Sequence, residues 1–377
     1  MLNITYNSNK ITYLKLLILL LTICSCQTTK FATDESKRFS VKFLDEYIVN
    51  KDFQFQNAEY GGISGVDFRN DKNIVLVNDS PVNPIIYEAE FIIDNLKIDK
   101  LVFKNTIQLN DIESDFYTKE SLDMESIRYF QDGFLISTEG NITKEKSPQI
   151  FKTSLAGEFE KKYNLPEYFQ TGGENKPRHN GVFEGLSVDK SSKGFWFANE
   201  LPLAKDGPKP KLINTNSPIR LSYFDLKTEQ VTKQFAMDLD RVTKIPLLPF
   251  YLNGLTEILA IDEHRLLILE RAYSAGHKSK GNNVKLFLVD VSKATDTKSI
   301  SELKSQKNEI SYAEKTLVFD FKSIKNKLTN GIIDNIEGLC FGPKLPNGNS
   351  TLILISDNNF NRFGKQLNQI ILLEIKL

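Results

Sequence analysis

Residues 183–200 read FEGLSVDKSSKGFWFANE. Phe183-Glu184-Gly185-Leu186 opens an apolar segment, Lys193-Gly194 supplies a turn, and Phe195 to Asn199 runs apolar into Glu200. Two short strands of apolar alternation joined by turn residues predict a β-hairpin. One acid stands near the start of the first strand and another at the end of the second.

The same arrangement recurs on both sides, a repeat that governs the rest of the reading. Upstream, Ile63-Ser64-Gly65-Val66 leads through Asn70 to Asn73 into Ile74 to Asn78 and Asp79. Met124-Glu125-Ser126-Ile127 then leads through Asp132-Gly133 into Phe134 to Thr138 and Glu139. Downstream, Thr256-Glu257-Ile258-Leu259 turns at Glu263-His264 into Arg265 to Leu269 and Glu270. Last, Ile336-Glu337-Gly338-Leu339 turns at Asn347-Gly348 into Thr351 to Ser356 and Asp357. A further strand pair follows each of the first four hairpins. The fifth has only Gln369 to Ile375, one strand short, while Phe39 to Val49 is a spare strand ahead of the first.

Four strands per unit, radially repeated, predict an all-β fold, a β-propeller of five blades. The spare N-terminal strand completes the C-terminal blade and closes the ring, hiding the edges an open array would expose. A six-blade alternative requires a divergent blade inside the longer intervals. Key positions lie 61, 59, 73 and 80 residues apart, above the roughly 40–45 of a minimal blade, so the surplus goes into loops. The largest are Asp111 to Ser121, Gln170 to Asn180, Leu201 to Ser217, Arg241 to Asn253, Lys293 to Lys315 and Lys322 to Asp334. Phe321 to Leu328 is the best helical candidate.

The first residues read as an address. Lys10 and Lys15 precede an apolar run from Leu16 to Ile23, too short to span a bilayer. This is the pattern of an export signal. Ile23-Cys24-Ser25-Cys26 resembles a bacterial lipobox, which implies cleavage before Cys26 and acylation of its thiol. The expected domains are a signal peptide over 1–25, a tether over 26–38 and the propeller over 39–377, anchored by lipid at the cell envelope outside the cytoplasm. Formal net charge is zero, with 48 basic and 48 acidic residues, and a nucleic-acid-binding chain usually carries a basic surplus. Cleavage would remove two lysines and no acid, leaving 46 basic against 48 acidic groups. A monomer is expected.

Innermost strands of a propeller line its channel, so positions repeated once per blade converge on the axis. Glu125, Glu184, Glu257 and Glu337 share one such place, with Ser64 in the first copy. Asp79, Glu139, Glu200, Glu270 and Asp357 share the other. Buried like charges resist ionisation unless paired or metal-bound. A ring of them predicts a cation, basic partners or a functional acid/base set, and an oxygen-rich site suits Ca2+ or another divalent cation. Arg271, Arg220 and Arg178 are candidate anion clamps. The competing reading is that these acids and arginines only knit blades together.

Gly61-Gly62-Ile63-Ser64-Gly65, Gly181-Val182-Phe183-Glu184-Gly185-Leu186, Ile268-Leu269-Glu270-Arg271, Asp334-Asn335-Ile336-Glu337-Gly338-Leu339 and Ser356-Asp357-Asn358-Asn359-Phe360 occur in order. Together they resemble the phytase-like domain family, also called esterase-like activity of phytase, from about Phe55 to Leu377. The resemblance implies a propeller, export or lipid anchoring, and phosphoester hydrolysis. It supplies no catalytic set to carry over residue by residue.

Other sites are absent. Gly62-Ile63-Ser64-Gly65 lacks the spacing of a nucleophile elbow, and no His or Cys cluster has zinc-ligand spacing. His264 falls in a turn, His179 and His277 in loops, and Cys340 and Trp196 read as core. The leading expectation is an exported metal-assisted phosphoester or ester hydrolase. Glu184, Glu257, Glu270, Glu337 and Asp357 are its catalytic candidates, with Glu125, Glu139, Asp79 and Glu200 as metal ligands. Arg271, Arg220 and Arg178 would bind a small anionic substrate. The alternative is a non-catalytic propeller binding a surface ligand or protein. A carboxylate-pair glycosidase is a third reading, without a sugar-binding aromatic pattern to support it.

Overall fold

A computed structural model describes residues 39–69, 72–109, 115–362 and 364–377. The expected signal peptide, the tether and Cys26 lie outside the described residues. Among those described, no helix is long and apolar enough to cross a membrane.

The strands in chain order are β1 (Ser40–Val49), β2 (Gln54–Phe55), β3 (Ala58–Glu59), β4 (Ile63–Phe68), β5 (Asn73–Asn78), β6 (Ile85–Asp94) and β7 (Lys97–Gln108). Then come β8 (Met124–Phe130), β9 (Gly133–Thr138), β10 (Gln149–Ser154), β11 (Phe159–Lys162), β12 (Phe183–Val188), β13 (Gly194–Asn199), β14 (Pro218–Asp225) and β15 (Gln230–Asp238). The last are β16 (Tyr251–Ala260), β17 (Arg265–Ser274), β18 (Asn282–Asp290), β19 (Glu314–Asp320), β20 (Asn335–Lys344), β21 (Ser350–Asp357) and β22 (Asn368–Lys376). They form five four-stranded antiparallel sheets: β4 to β7, β8 to β11, β12 to β15, β16 to β19, and β20-β21-β22-β1. The inner strands β4, β8, β12, β16 and β20 pack each on the next, and β20 returns to β4. The fold is therefore the five-bladed propeller read from the repeat, and the long intervals hold loops rather than a sixth blade. Closure is by β1, which pairs with β22 from Ser40 opposite Lys376 to Val49 opposite Asn368. The segment expected to be helical forms a 3-10 turn over Phe321–Lys327, with the Asp320 side chain capping Lys322 N.

The second strands run apolar through consecutive central positions because both faces are covered. On β5, Ile74 and Leu76 enter the core shared with the fifth blade, while Val75 and Val77 enter the core shared with the second. On β13, Phe195 and Phe197 face the second blade, and Trp196 and Ala198 face the fourth. Alternation thus distributes apolar side chains between two interfaces. Each fully buried Leu, Ile or Phe contributes about 1.5–3 kcal/mol.

All five inner strands carry a bulge at one register: between Ile63 and Gly65, Met124 and Ser126, Phe183 and Gly185, Leu255 and Glu257, and Ile336 and Gly338. Bulges re-aim a side chain, and here the re-aimed residues are Ser64, Glu125, Glu184, Thr256 and Glu337. The residue after the bulge lies against the neighbouring blade. A Cβ on Gly65 would stand 2.8 Å from Ser126 Cα, and one on Gly338 3.0 Å from Ser64 O. In the fourth blade this shifts the repeat by one: Thr256, not Glu257, holds the bulge position, and Glu257 takes the place of the glycines.

Candidate metal centre at the channel mouth

The second ring of repeat positions is also set by pairing. Asp79 N donates to Gly62 O, Glu139 N to Asp123 O and Glu200 N to Val182 O, while Asp357 pairs with Asn335. In the fourth blade the partner of Gly254 is Arg271. The cation therefore occupies the place where the other blades put an acid, and Glu270 points to the opposite face of β17. Asp123, two residues before Glu125, joins the cluster; the sequence reading missed it. Its signal was Asp123-x-Glu125, acids two apart at the start of a strand.

Eight carboxylates meet here: Asp79, Asp123, Glu125, Glu139, Glu184, Glu200, Glu337 and Asp357. Asp123, Glu125 and Glu139 each offer an oxygen within 4.8 Å of the others, and so do Glu139, Glu184 and Glu200. Glu139 belongs to both groups. Its Oε1 accepts from the amides of Gly181 and Val182, each at 2.7 Å. Asp357 accepts from Asn359 N at 2.6 Å, and Glu337 from Asn335 Nδ2 at 2.9 Å. The carboxylates of Glu125, Glu184 and Glu200 accept no hydrogen bond among the described residues, and Asp79 Oδ1 is buried without a partner.

Such crowding raises proton affinity. Burial, then repulsion from Glu139, pushes both Asp123 and Glu200 up to about 8. Burial raises Glu337 to about 7 against the pull of Arg271, and Asp79 to about 6 against Arg362. Burial and then neighbouring acids hold Glu125, Glu184 and Asp357 well above the ordinary carboxylate range. Burial also raises Glu139, opposed by its two amide donors. The largely buried cation inside the cluster is Arg271, while the exposed Arg362 acts on Asp79, and the exposed Lys209 on Glu139 and Glu200, from its edge. Arg271 reaches Glu337 Oε1 at 3.1 Å, and its buried Nε has no hydrogen-bond partner. Beside Asp79, a cavity of about 410 Å³ is lined by Asn78, Ser80, Asn83, Phe360 and Arg362 among others.

The remaining candidates stand elsewhere. Glu257 accepts from Ser126 Oγ at 2.7 Å and from the amides of Leu186 and Ile258 at 2.9 Å, and pairs with Arg128. Arg128 donates to the carbonyls of Val66, Ile127, Leu186, Ile258 and Leu339. These are equivalent carbonyls of all five inner strands, so one guanidinium closes the channel and ties every blade. Glu270 accepts from Asp240 N, Asn253 Nδ2 and Lys315 Nζ, outside the cluster. Arg220 is fully buried in a two-pronged pair with Asp206, at 2.7 and 2.8 Å. Arg178 donates to the carbonyls of Pro202, Ala204 and Gly207 and staples that loop. Ser64 Oγ donates to Met124 O at 2.6 Å.

Residues 58–360 match the family model described as Phytase-like, Esterase-like activity of phytase. No curated protein matches the chain. Similar solved structures include an exo-1,5-alpha-L-arabinanase from a bovine ruminal metagenomic library, with 9% identity, TM-score 0.41, and coverage of 86% of this chain and 95% of that one. A hypothetical protein from Leishmania major shares 8% identity at TM-score 0.39, covering 88% and 91%. Hydrazine synthase of Kuenenia stuttgartiensis shares 8% identity at TM-score 0.36, with 80% of this chain spanning 66% of that one.

Proposed function

The chain belongs to the phytase-like family, and from that premise we propose that it is an exported hydrolase of phosphoesters or esters, assisted by a divalent cation at the channel mouth. The observation that carries this reading is the pair of three-carboxylate groups sharing Glu139. The donor set is all oxygen, which fits Ca2+ or a similar hard cation. Asp123, Glu125, Glu139, Glu184 and Glu200 would hold it, and Asp79 stands next to them with an orphan oxygen. A bound cation supplies polarisation of the substrate oxygen and activation of water. Arg271 meets the substrate's anionic group through its unpartnered Nε, and Glu337 orients the guanidinium.

A small anionic substrate suits this arrangement once cations offset the carboxylates. Attachment through acylated Cys26 would hold the monomeric domain at the cell envelope, on the strength of the lipobox-like Ile23-Cys24-Ser25-Cys26. A second reading, a non-catalytic surface receptor, draws on the two amide bonds that give Glu139 a structural partner. A panel of phosphate and acyl esters with and without Ca2+ separates them. Turnover that requires the cation and disappears in Glu139→Gln supports the hydrolase. A folded protein that binds Ca2+ yet turns over none of the panel supports the receptor.

A further inference from the structure

Three connections at one end of the fourth blade carry an unusual composition. They are 241–250 ahead of β16, 275–281 between β17 and β18, and 321–331 after β19. Together they contain no acid, in a chain whose acids and bases balance. Ile245, Leu247, Leu248 and Phe250 are 73%, 69%, 59% and 57% exposed. Lys278, Lys280, Lys322 and Lys325 are exposed around them, and Lys244 sits at the base of the loop. The acids just before two of these segments are engaged: Asp240 with Lys285 and Lys315, and Asp320 as a cap.

The apolar tip is a built feature. Leu247 N and Leu248 N both donate to Ala275 O, at 2.8 and 3.3 Å, and Ala275 N donates back to Phe250 O at 2.9 Å. Ser274 Oγ bonds Lys244 O, His277 Nε2 bonds Ile245 O at 2.8 Å, and Lys244 Nζ donates to Lys280 O. Gly276 has φ +91, and a Cβ there would lie 2.6 Å from Leu247 Cβ, so the two segments stack only because it is glycine. The third segment is adjacent in space: Lys244 is held below its ordinary range by burial, then by repulsion from Lys325 and Lys322.

We propose that this tip is a membrane-docking element that inserts Ile245, Leu247, Leu248 and Phe250 into an anionic bilayer while the surrounding lysines bind its headgroups. Apolar side chains at an interface joined to a polybasic rim are what an anionic lipid surface retains. A neutral protein groove would leave the lysines unpaired. Direction matters as well. The tip lies where inner strands begin and second strands end, which is the end that carries the acidic cluster. Docking therefore turns the channel mouth towards the headgroups. This element is independent of Cys26 and of the hydrolase reading.

The test uses the full chain with Phe250→Trp and vesicles of equal parts phosphatidylglycerol and phosphatidylcholine. Trp196, the only native tryptophan, is 2% exposed and gives a constant background. The expected result is a blue shift and quenching by bromine-labelled acyl chains, absent with pure phosphatidylcholine and reversed at about 0.5 M salt. A second variant adds Lys→Glu at 278, 280, 322 and 325; it should keep its melting temperature and lose the quenching. Any apolar segment near the N-terminus is common to all variants and cannot quench at position 250. Emission that vesicles leave unchanged would overturn the proposal. So would equal quenching on neutral and anionic vesicles. Concentration-dependent burial of the introduced indole without lipid would assign the tip to a second copy of the chain instead.

Discussion

Arg128 Nη2 meets Glu257 Oε2 at 2.7 Å on the propeller axis, with side chains 3% and 0% exposed. Burial pushes the Glu257 carboxyl up; Arg128, Ser126 and two backbone amides pull it down. Truncating one member leaves the other buried and uncompensated, at a cost of about 3–5 kcal/mol. Glu257→Gln and Arg128→Met should each lower the urea midpoint sharply, Arg128→Met also freeing five carbonyls. A midpoint unchanged in both would mean that the pair does not hold the ring.

Glu139→Gln should separate metal binding from folding. Its amide oxygen still accepts from Gly181 and Val182, so those bonds survive, while one of eight mutually repelling charges disappears. Without Ca2+ the variant should melt at or above the parent at pH 8. Added Ca2+ should raise the parent's melting temperature and leave the variant's unchanged, as calorimetry would read directly.

Stability of the metal-free protein should fall as pH rises. Asp123 and Glu200 titrate near 8 in the folded chain and near 4 when unfolded. The native state therefore holds more protons across that window, and stability declines from about pH 4 to about pH 8. Ca2+ replaces those protons and should flatten the decline. Thermal melts across this range with chelator or with Ca2+ check the slope; a rise with pH under chelator would refute the cluster's raised affinities.

Arg271→Gln removes the largely buried cation among the eight acids. KM for an anionic ester should rise about tenfold or more, the loss expected for a charge-assisted hydrogen bond. Ca2+ should bind more tightly, since a like charge has left its neighbourhood. Steady-state kinetics and titration calorimetry give opposite signs for the two affinities. A parallel loss of both would indicate collapse of the mouth instead.

The blades were legible because each second strand is apolar on both faces and each hairpin is punctuated by turn residues. The spare strand Phe39 to Val49 announced ring closure for the same reason, by counting. The fourth blade was misaligned because Glu257 and Glu270 are acids one residue away from where the repeat wants them. Only the bulge between Leu255 and Glu257 reveals that Thr256 and Arg271 hold those places. Asp123 was visible as a neighbour of Glu125 but belonged to no repeat. The role of Arg128 was hidden, since its partners are backbone carbonyls from all five blades; an arginine inside an apolar inner strand was the only clue. Arg220 and Arg178 looked like free cations because Asp206 and the carbonyls of Pro202, Ala204 and Gly207 reach them only through folded loops.

Pairing of β1 with β22 gives the protein a timetable. Residues 40–49 leave the ribosome long before residues 368–376, their only sheet partner among the described residues. Until the last strand is made, β1 has no ladder to join, and the first and fifth blades each keep an uncovered flank. The ring thus becomes complete only after β22 has been made. During that interval the ring stays open, and its uncovered strand edges are free to pair wrongly.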